Sequence, residues 1–147
     1  MRLIPKLLLC AFIVFSSNTV HADRYKSVTE LFADEIDIND QFNQSIILQR
    51  CAGLFGALAK YWPGDDQGQK ENLFNNSMNL LVMATMTMAE KRGLPVDNES
   101  INNQVQKAFN IYVDIYYEDM ERHQIATGSI MSEMVNSDLQ ICSRFSK

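Results

Sequence analysis

The stretch that most constrains the fold runs from Asp40 to Trp62, DQFNQSIILQRCAGLFGALAKYW. Asp40 is a suitable helix N-cap, and the residues Pro63-Gly64-Asp65-Asp66 have the composition of a turn that ends a helix. The larger apolar residues recur three or four positions apart, as on one face of an α-helix: Ile47, Cys51, Leu54, Phe55, Leu58 and Trp62. The pattern predicts one long helix that carries a cysteine near its middle.

The other side of this helix contains Gly53 and Gly56. A glycine inside a helix costs about 1 kcal/mol relative to alanine, so we expect a structural reason for both. One interpretation is that a neighbouring helix backbone approaches closely over the small residues. The other is that the glycine face is a docking groove for a ligand or a partner.

The N-terminal residues have the organisation of a secretory signal peptide. Arg2 and Lys6 precede an apolar run from Leu7 to Phe15, and small and polar residues lead to Ala22. The apolar run is too short to span a bilayer. We therefore expect a cleaved signal peptide over residues 1–22, export to the periplasm or the medium, and a single helical domain over residues 23–147.

The expected processed chain is acidic. Removing Arg2 and Lys6 leaves eleven of the thirteen basic residues against all eighteen acidic ones, so the formal net charge moves from −5 to −7. Such a surface repels nucleic acid and anionic lipid headgroups. No later stretch is long and apolar enough to cross a membrane. We therefore expect neither a nucleic-acid partner nor a membrane span after processing.

Two cysteines remain after that cleavage, Cys51 and Cys142, because Cys10 lies inside the apolar run. Exported proteins meet an oxidising compartment, so we expect one disulfide between them. An intermolecular bridge and two free thiols are the alternatives. Closing a loop of about ninety residues is worth at most ~4 to 5 kcal/mol, which is comparable to the whole stability of a small domain, ~5 to 15 kcal/mol.

The rest of the chain adds further helical patterns. Ser27-Val28-Thr29-Glu30 is a capping box that begins a short helix through about Glu35. Long helices are predicted over residues 69–92, from about 97–100 to 127, and over 130–145, where Ser129 can cap the last one. No stretch alternates apolar and polar residues as a strand does. The predicted fold is all-α: an antiparallel helical bundle of about four long helices plus a short N-terminal helix, with one disulfide.

The helix predicted over residues 69–92 is apolar most of the way round, which is typical of a central helix or of a helix with two contact surfaces. Met83 and Met86 lie on its more polar face, and flexible methionines pack adaptably against partners. With Gly53 and Gly56 they form a candidate partner surface. The principal apolar stripe of this helix consists of Phe74, Met78, Leu81, Thr85 and Met88.

Met83 and Met86 also define an alternative function. Thioethers are soft donors that select Cu(I), so a periplasmic Cu(I)-binding protein that uses these two residues is one hypothesis. Met88 points largely away from them. The sequence contains no His-Glu-x-x-His zinc motif, no paired-cysteine zinc motif and no covalent haem motif. We assign no cofactor and no metal ligand from the sequence.

A candidate polar or pH-sensitive cluster consists of Tyr116, Asp119 and His123 near the end of the third long helix. Asp119 and His123 are i, i+4 neighbours, and a nearby carboxylate favours the charged imidazole. The alternative interpretation is that both groups are solvated where the bundle ends.

An enzyme with Asp119 and His123 as an acid/base pair is the second alternative function. No nucleophile motif or phosphate loop supports catalysis, so we favour a non-enzymatic protein.

Asp138 falls on the apolar side of the last helix, one turn before Cys142. Arg50, beside Cys51, is its natural charge partner, so the two form a candidate structural ion pair next to the disulfide. Breaking a buried pair costs about 3 to 5 kcal/mol.

No motif of the chain indicates a family. The absence of catalytic groupings, together with the methionine and glycine faces, favours a small exported helical protein that binds another macromolecule. An accessory, inhibitor, immunity or chaperone-like factor would fit, with a protein as the partner. The sequence determines neither the identity of that partner nor the oligomeric state.

Overall fold

The computed structural model of the chain describes residues 26–146, and the predicted signal peptide lies outside them. Within this range the chain forms five helices and no strand, which confirms the all-α class. Between residues 26 and 146, no helix combines the length and the apolar composition that a membrane span requires. The helices are α1 (Val28–Ala33), α2 (Gln41–Tyr61), α3 (Gln67–Arg92), α4 (Glu99–Thr127) and α5 (Glu133–Cys142).

Local capping residues set the helix ends, as the sequence predicts. The Ser27 hydroxyl accepts a hydrogen bond from the Glu30 backbone N–H, and the Glu30 carboxylate accepts one from the Ser27 N–H, which completes the capping box of α1. The Asp40 carboxylate accepts from two backbone N–H groups in the first turn of α2. Gly93 and Gly128 end α3 and α4 with φ values of 62° and 79°, in the left-handed region that glycine tolerates.

The last helix begins at Glu133, three residues later than predicted, and Ser132 caps it instead of Ser129. Both serines fit the capping pattern in the sequence. The hydroxyl of Ser132 also donates to Asp119 on α4, which fixes this serine at the start of α5. The Ser129 hydroxyl instead accepts from a backbone N–H within the turn between α4 and α5.

Helix α2 is the centre of the bundle. Both α3 and α4 pack mainly on α2 and much less on each other, while α1 and α5 pack together on α2 as well. The disulfide between Cys51 and Cys142 joins α2 to α5 across 91 residues, and both cysteines are fully buried. The predicted intramolecular pairing is therefore confirmed. The α2 core consists of Ile47, Leu48, Cys51, Ala52, Leu54, Phe55, Ala57 and Leu58.

The contact between α2 and α3 is held by two hydroxyl groups that point in opposite directions. Ser45 on α2 donates to the carbonyl oxygen of Ala84 on α3 at 2.8 Å. Ser77 on α3 donates to the carbonyl oxygen of Ala52 on α2, also at 2.8 Å. Because all four residues are small, the two helix backbones approach closely.

The buried face of α3 differs from the predicted stripe. Leu81 and Met88 are buried as predicted, but Phe74 and Met78 are exposed. Since α3 is apolar most of the way round, its period does not determine which side meets α2, and the small residues Ser77 and Ala84 select the side. Helix α3 therefore has a second apolar surface. Its buried residues are Leu73, Ser77, Leu80, Leu81, Ala84, Met88 and Ala89.

Candidate functional site

The first glycine of α2, Gly53, lies beneath α4. A Cβ atom at this position would lie 2.4 Å from the Cβ atom of Tyr112 and 3.1 Å from the backbone nitrogen of Val113. No side chain fits there, and Gly53 itself is buried. Gly53 therefore serves the close approach of two helix backbones, which is the first of the two interpretations, and it does not belong to a partner surface.

The second glycine, Gly56, lies at the floor of a groove between α3 and α4. A Cβ atom here would meet only side-chain atoms, at 3.1 Å from Val113 Cγ2, 3.2 Å from Phe109 Cζ and 3.2 Å from Ser77 Oγ. We call this cleft the α3–α4 groove. It has a volume of about 830 Å³, and Phe74 on α3 faces Phe109 and Val113 on α4 across it.

The groove lies between α3 and α4 because both helices pack on α2 and make much less contact with each other. A second cavity of about 310 Å³ lies further along the same pair of helices, lined by Val82 and Thr85 on α3 and by Val105 and Gln106 on α4. Depressions therefore follow much of the length of the two helices. In a complete four-helix bundle this valley would be occupied by a further helix.

Charged side chains border the groove. Lys60, Lys70, Glu71 and Asp114 contribute two positive and two negative groups. Lys60 also lies over the ring of Tyr117, with its Nζ atom 4.4 Å from the ring centroid. An apolar floor with a rim of both signs resembles the anatomy of a protein–protein interface and does not select a ligand of one charge.

Asp138 is completely buried and ties three helices together. Its carboxylate accepts hydrogen bonds from the backbone N–H groups of Val28 and Thr29 at 2.9 and 3.0 Å, and from the Thr29 hydroxyl at 3.0 Å. The Tyr116 hydroxyl on α4 donates to the same carboxylate at 2.6 Å. The first-turn N–H groups of α1, which have no partner within the helix, thus receive an acceptor from α5.

The environment of Tyr116 keeps its hydroxyl protonated. Burial, followed by the negative charge of Asp138, raises the pKa of Tyr116 well above its ordinary value of 10. The hydroxyl therefore remains a hydrogen-bond donor at neutral pH, and its role is structural.

The predicted ion pair between Arg50 and Asp138 does not form. None of the four hydrogen bonds that Asp138 accepts from residues 26–146 comes from Arg50. Arg50 is itself buried, and its Cζ atom lies 5.0 Å from the ring centroid of Tyr112. Its Nε atom has no hydrogen-bond partner in this part of the chain. The prediction fails because neutral donors from α1 and α4 occupy both carboxylate oxygens.

The predicted cluster of Tyr116, Asp119 and His123 is not assembled. Tyr116 bonds to Asp138, while Asp119 accepts from the Ser132 hydroxyl and lies 3.7 Å from Arg122. Among the residues that the structure describes, no hydrogen bond or ion pair joins Asp119 to His123. The same residues contain no group of three acidic, histidine or cysteine side chains that could hold a metal ion.

Met83 and Met86 are both exposed to solvent, whereas Met88 is buried in the core. Met83 lines an apolar cleft of about 400 Å³ where α1, α2, α3 and the C-terminal residues meet, next to Ile47 and Phe145. Because Met88 is buried, it cannot complete a three-thioether site with the other two. The exposed pair remains accessible from solvent.

No protein-family model, curated protein or solved structure matches the chain.

Sequence reasoning missed Phe74, Phe109 and Val113 as groove residues. A usable signal was present on α3, because Ser77 and Ala84 are small residues seven positions apart and mark the face that packs on α2. Phe74 lies off that face. A bulky aromatic residue beside a face of small residues indicates a second contact surface.

Proposed function

We propose that the protein binds another protein by accepting an amphipathic helix of that partner in the α3–α4 groove. It would act as an accessory, inhibitor, immunity or chaperone-like factor. The observation that supports this most directly is the position of Phe74, a large aromatic side chain that remains 56% exposed on the wall of a groove of about 830 Å³.

Helix-in-groove recognition uses apolar anchors at i, i+3 or i+4, and i+7 along the incoming helix. The α3–α4 groove offers the matching features. Gly56 lies at the floor of the groove, and Phe74 and Phe109 provide aromatic contacts of the kind that dominate binding energy at interfaces. Exposed apolar surface of this kind is a marker of interaction sites.

The two alternative functions receive less support. Acid/base catalysis would need Asp119 and His123 together, and within residues 26–146 Asp119 pairs with Ser132 and Arg122. Cu(I) binding through Met83 and Met86 would need a further soft ligand, and the nearby Met88 is buried.

We further propose that the protein works outside the cytoplasm. The buried disulfide between Cys51 and Cys142 supports this location, because structural disulfides persist in oxidising compartments. The signal-peptide pattern of residues 1–22 points the same way.

A photo-crosslinking amino acid at Asn110, on the rim of the groove, tests the proposal in cells of the native host. The matched control is the same amino acid at Gln104, which is exposed on another side of α4. We expect a crosslinked protein adduct from position 110 and none from position 104. Absence of an adduct at 110, or equal adducts at both positions, would overturn the proposal.

A second pair of variants ties the adduct to the groove. Phe74→Ala removes the exposed wall residue without touching the core and is expected to abolish the adduct at position 110. Ile125→Ala truncates an exposed apolar residue of α4, 81% exposed and outside the groove, and is expected to leave it unchanged. Circular dichroism of both variants checks that the fold is retained.

A further inference from the structure

The α3–α4 groove and the second cavity lie along one straight valley. On α3, Phe74 lines the groove, and Leu81 and Thr85 line the second cavity. At 3.6 residues per turn, these three residues fall within about 40° of one another around the helix axis. One face of α3 therefore forms a wall of both depressions.

The opposite wall of the valley is built in the same way. On α4, Asn102 lines the second cavity, and Phe109 and Val113 line the groove. These three residues also fall within about 40° of one another around their helix axis. A straight helix laid between α3 and α4 would therefore pass over both depressions.

The two walls give the same distance between the depressions. Phe74 and Val82 are eight positions apart on α3, and Val105 and Val113 are eight positions apart on α4. Each pair spans about 12 Å along its helix at 1.5 Å per residue. In a helix laid in the valley, this distance separates positions i and i+7 or i+8. A helix presents such positions within about a quarter-turn of each other.

The second cavity differs from the groove in its chemistry. Charged side chains of both signs border the groove, whereas no charged residue among residues 26–146 lines the second cavity. Val105 is buried there, and Val82 is 53% exposed. The Thr85 hydroxyl donates to the carbonyl oxygen of Leu81 at 3.0 Å, which satisfies it within α3. The second cavity, of about 310 Å³, therefore suits an uncharged apolar side chain.

We propose that the partner helix carries two apolar anchor residues, at positions i and i+7 or i+8, and places one in the α3–α4 groove and the other in the second cavity. This inference rests on the proposed function and adds the length and pattern of the partner segment. The segment needs about three helical turns, or about eleven residues. Its charged residues belong beside the anchor in the groove, where Lys70 and Asp114 can pair with them.

The valley favours a helix over an extended segment as its occupant. A helix satisfies its own backbone N–H and C=O groups, except at its two ends. An extended segment in the valley would need a sheet edge to pair with, and residues 26–146 form helices and no strand.

Photo-crosslinking at two positions tests the anchor spacing in cells of the native host. Asn110 borders the groove and Asn102 borders the second cavity, and both are exposed on α4. The two positions lie about 12 Å apart along α4. We expect both to capture the same protein. Mass spectrometry of the crosslinked peptides should place the two sites in one segment of it, at least about six residues apart, whereas an extended segment spans 12 Å in about four residues.

The outcomes separate this inference from the proposed function. Sites that are closer together, sites in separate segments, or an adduct from position 110 without one from position 102 would overturn the two-anchor proposal and leave binding in the groove intact. Absence of an adduct from position 110, or an adduct formed only with a second copy of this chain, would overturn both.

Val82→Asp tests whether the second cavity contributes to binding. A carboxylate in the wall of this apolar cavity should reduce the adduct from position 110 at least about tenfold, although Val82 lies about 12 Å along α3 from Phe74. The matched control is Met83→Asp, because Met83 is the next residue, is 44% exposed and lines a different cleft. It should leave the adduct unchanged, and circular dichroism checks the fold of both variants. An adduct that survives Val82→Asp, or equal losses in the two variants, would overturn the two-anchor proposal.

Discussion

A Cβ atom at Gly53 would lie 2.4 Å from the Cβ atom of Tyr112, at the point where α2 and α4 cross. Gly53 therefore determines how closely α4 approaches the central helix. One turn further along α2, Gly56 lies at the floor of the α3–α4 groove. The same short segment of α2 thus sets both the packing of α4 and the depth of the groove beside it.

Alanine substitutions should distinguish the two glycines. Gly53→Ala is expected to destabilise the protein by about 1 to 3 kcal/mol, because the overpacking against α4 exceeds the gain in helix propensity. Gly56→Ala should stay within about 1 kcal/mol of wild type, since the side-chain ends it meets border an open groove. Urea unfolding measures both. A Gly53→Ala variant at least as stable as wild type would contradict the close approach of α2 and α4 at Gly53.

Tyr116→Phe should lower the free energy of unfolding markedly, although it removes only one oxygen atom. The substitution removes a buried hydrogen bond to the carboxylate of Asp138, and hydrogen bonds to charged groups contribute about 1.5 to 3 kcal/mol. The matched control is Tyr117→Phe, because Tyr117 contacts Tyr61 and Lys60 through its ring. The control should change the free energy of unfolding by less than about 0.5 kcal/mol. Equal losses for the two variants would contradict the assigned role of Tyr116.

The advantage of wild type over Tyr116→Phe should shrink at alkaline pH. Burial and the Asp138 charge raise the pKa of Tyr116 in the folded state above 10, so the unfolded state loses this proton first as the pH rises. The stabilisation that comes from the raised pKa of Tyr116 is therefore fully present below pH 10. It is lost between pH 10 and the higher pKa of the folded state, by up to about 1.4 kcal/mol per pH unit. Urea unfolding from about pH 8 to 11 measures the difference in free energy of unfolding between wild type and Tyr116→Phe. A difference that stays constant over this range would contradict the raised pKa of Tyr116.

Replacing both Cys51 and Cys142 by alanine should lower the free energy of unfolding by about 3 to 5 kcal/mol. The bond closes a loop of 91 residues, and in the chain-entropy model its loss frees the unfolded chain. Reduction of the wild-type protein should give a similar loss in urea unfolding. Two thiols that react with an alkylating reagent before unfolding or reduction would contradict the bond.

Features decided by neighbouring residues were predictable from the sequence. Asp40 and Ser27 cap α2 and α1 as predicted, because capping depends on side chains within one helical turn. The disulfide was predictable because only Cys51 and Cys142 remain after the expected cleavage. The predicted start of α5 was wrong by three residues, because Ser129 and Ser132 both fit the cap pattern.

Features decided by distant residues were not predictable in the same way. The Asp138 carboxylate accepts a hydrogen bond from α1, 110 residues away in the sequence. The donor is a backbone N–H group, and a search for oppositely charged side chains does not find such a partner. Arg50 was chosen from charge alone, and the fold places it over Tyr112 instead. The α3–α4 groove depends on which side of an almost uniformly apolar helix meets α2, and small residues decide that.

Ser45→Ala should lower the free energy of unfolding more than Ser77→Ala, although each removes one hydroxyl group between α2 and α3. Ser77→Ala removes one bond to a carbonyl that still accepts within its own helix, which costs about 0.5 to 1.5 kcal/mol. Ser45→Ala also removes the acceptor for the buried Gln49 amide, 2.9 Å away, and leaving such a donor unpaired costs about 1 to 3 kcal/mol more. Urea unfolding of Ser45→Ala, Gln49→Met and the double variant isolates this coupling. Because the double variant has no stranded amide, it should lose less than the sum of the two single variants, and simple additivity would contradict the assigned link.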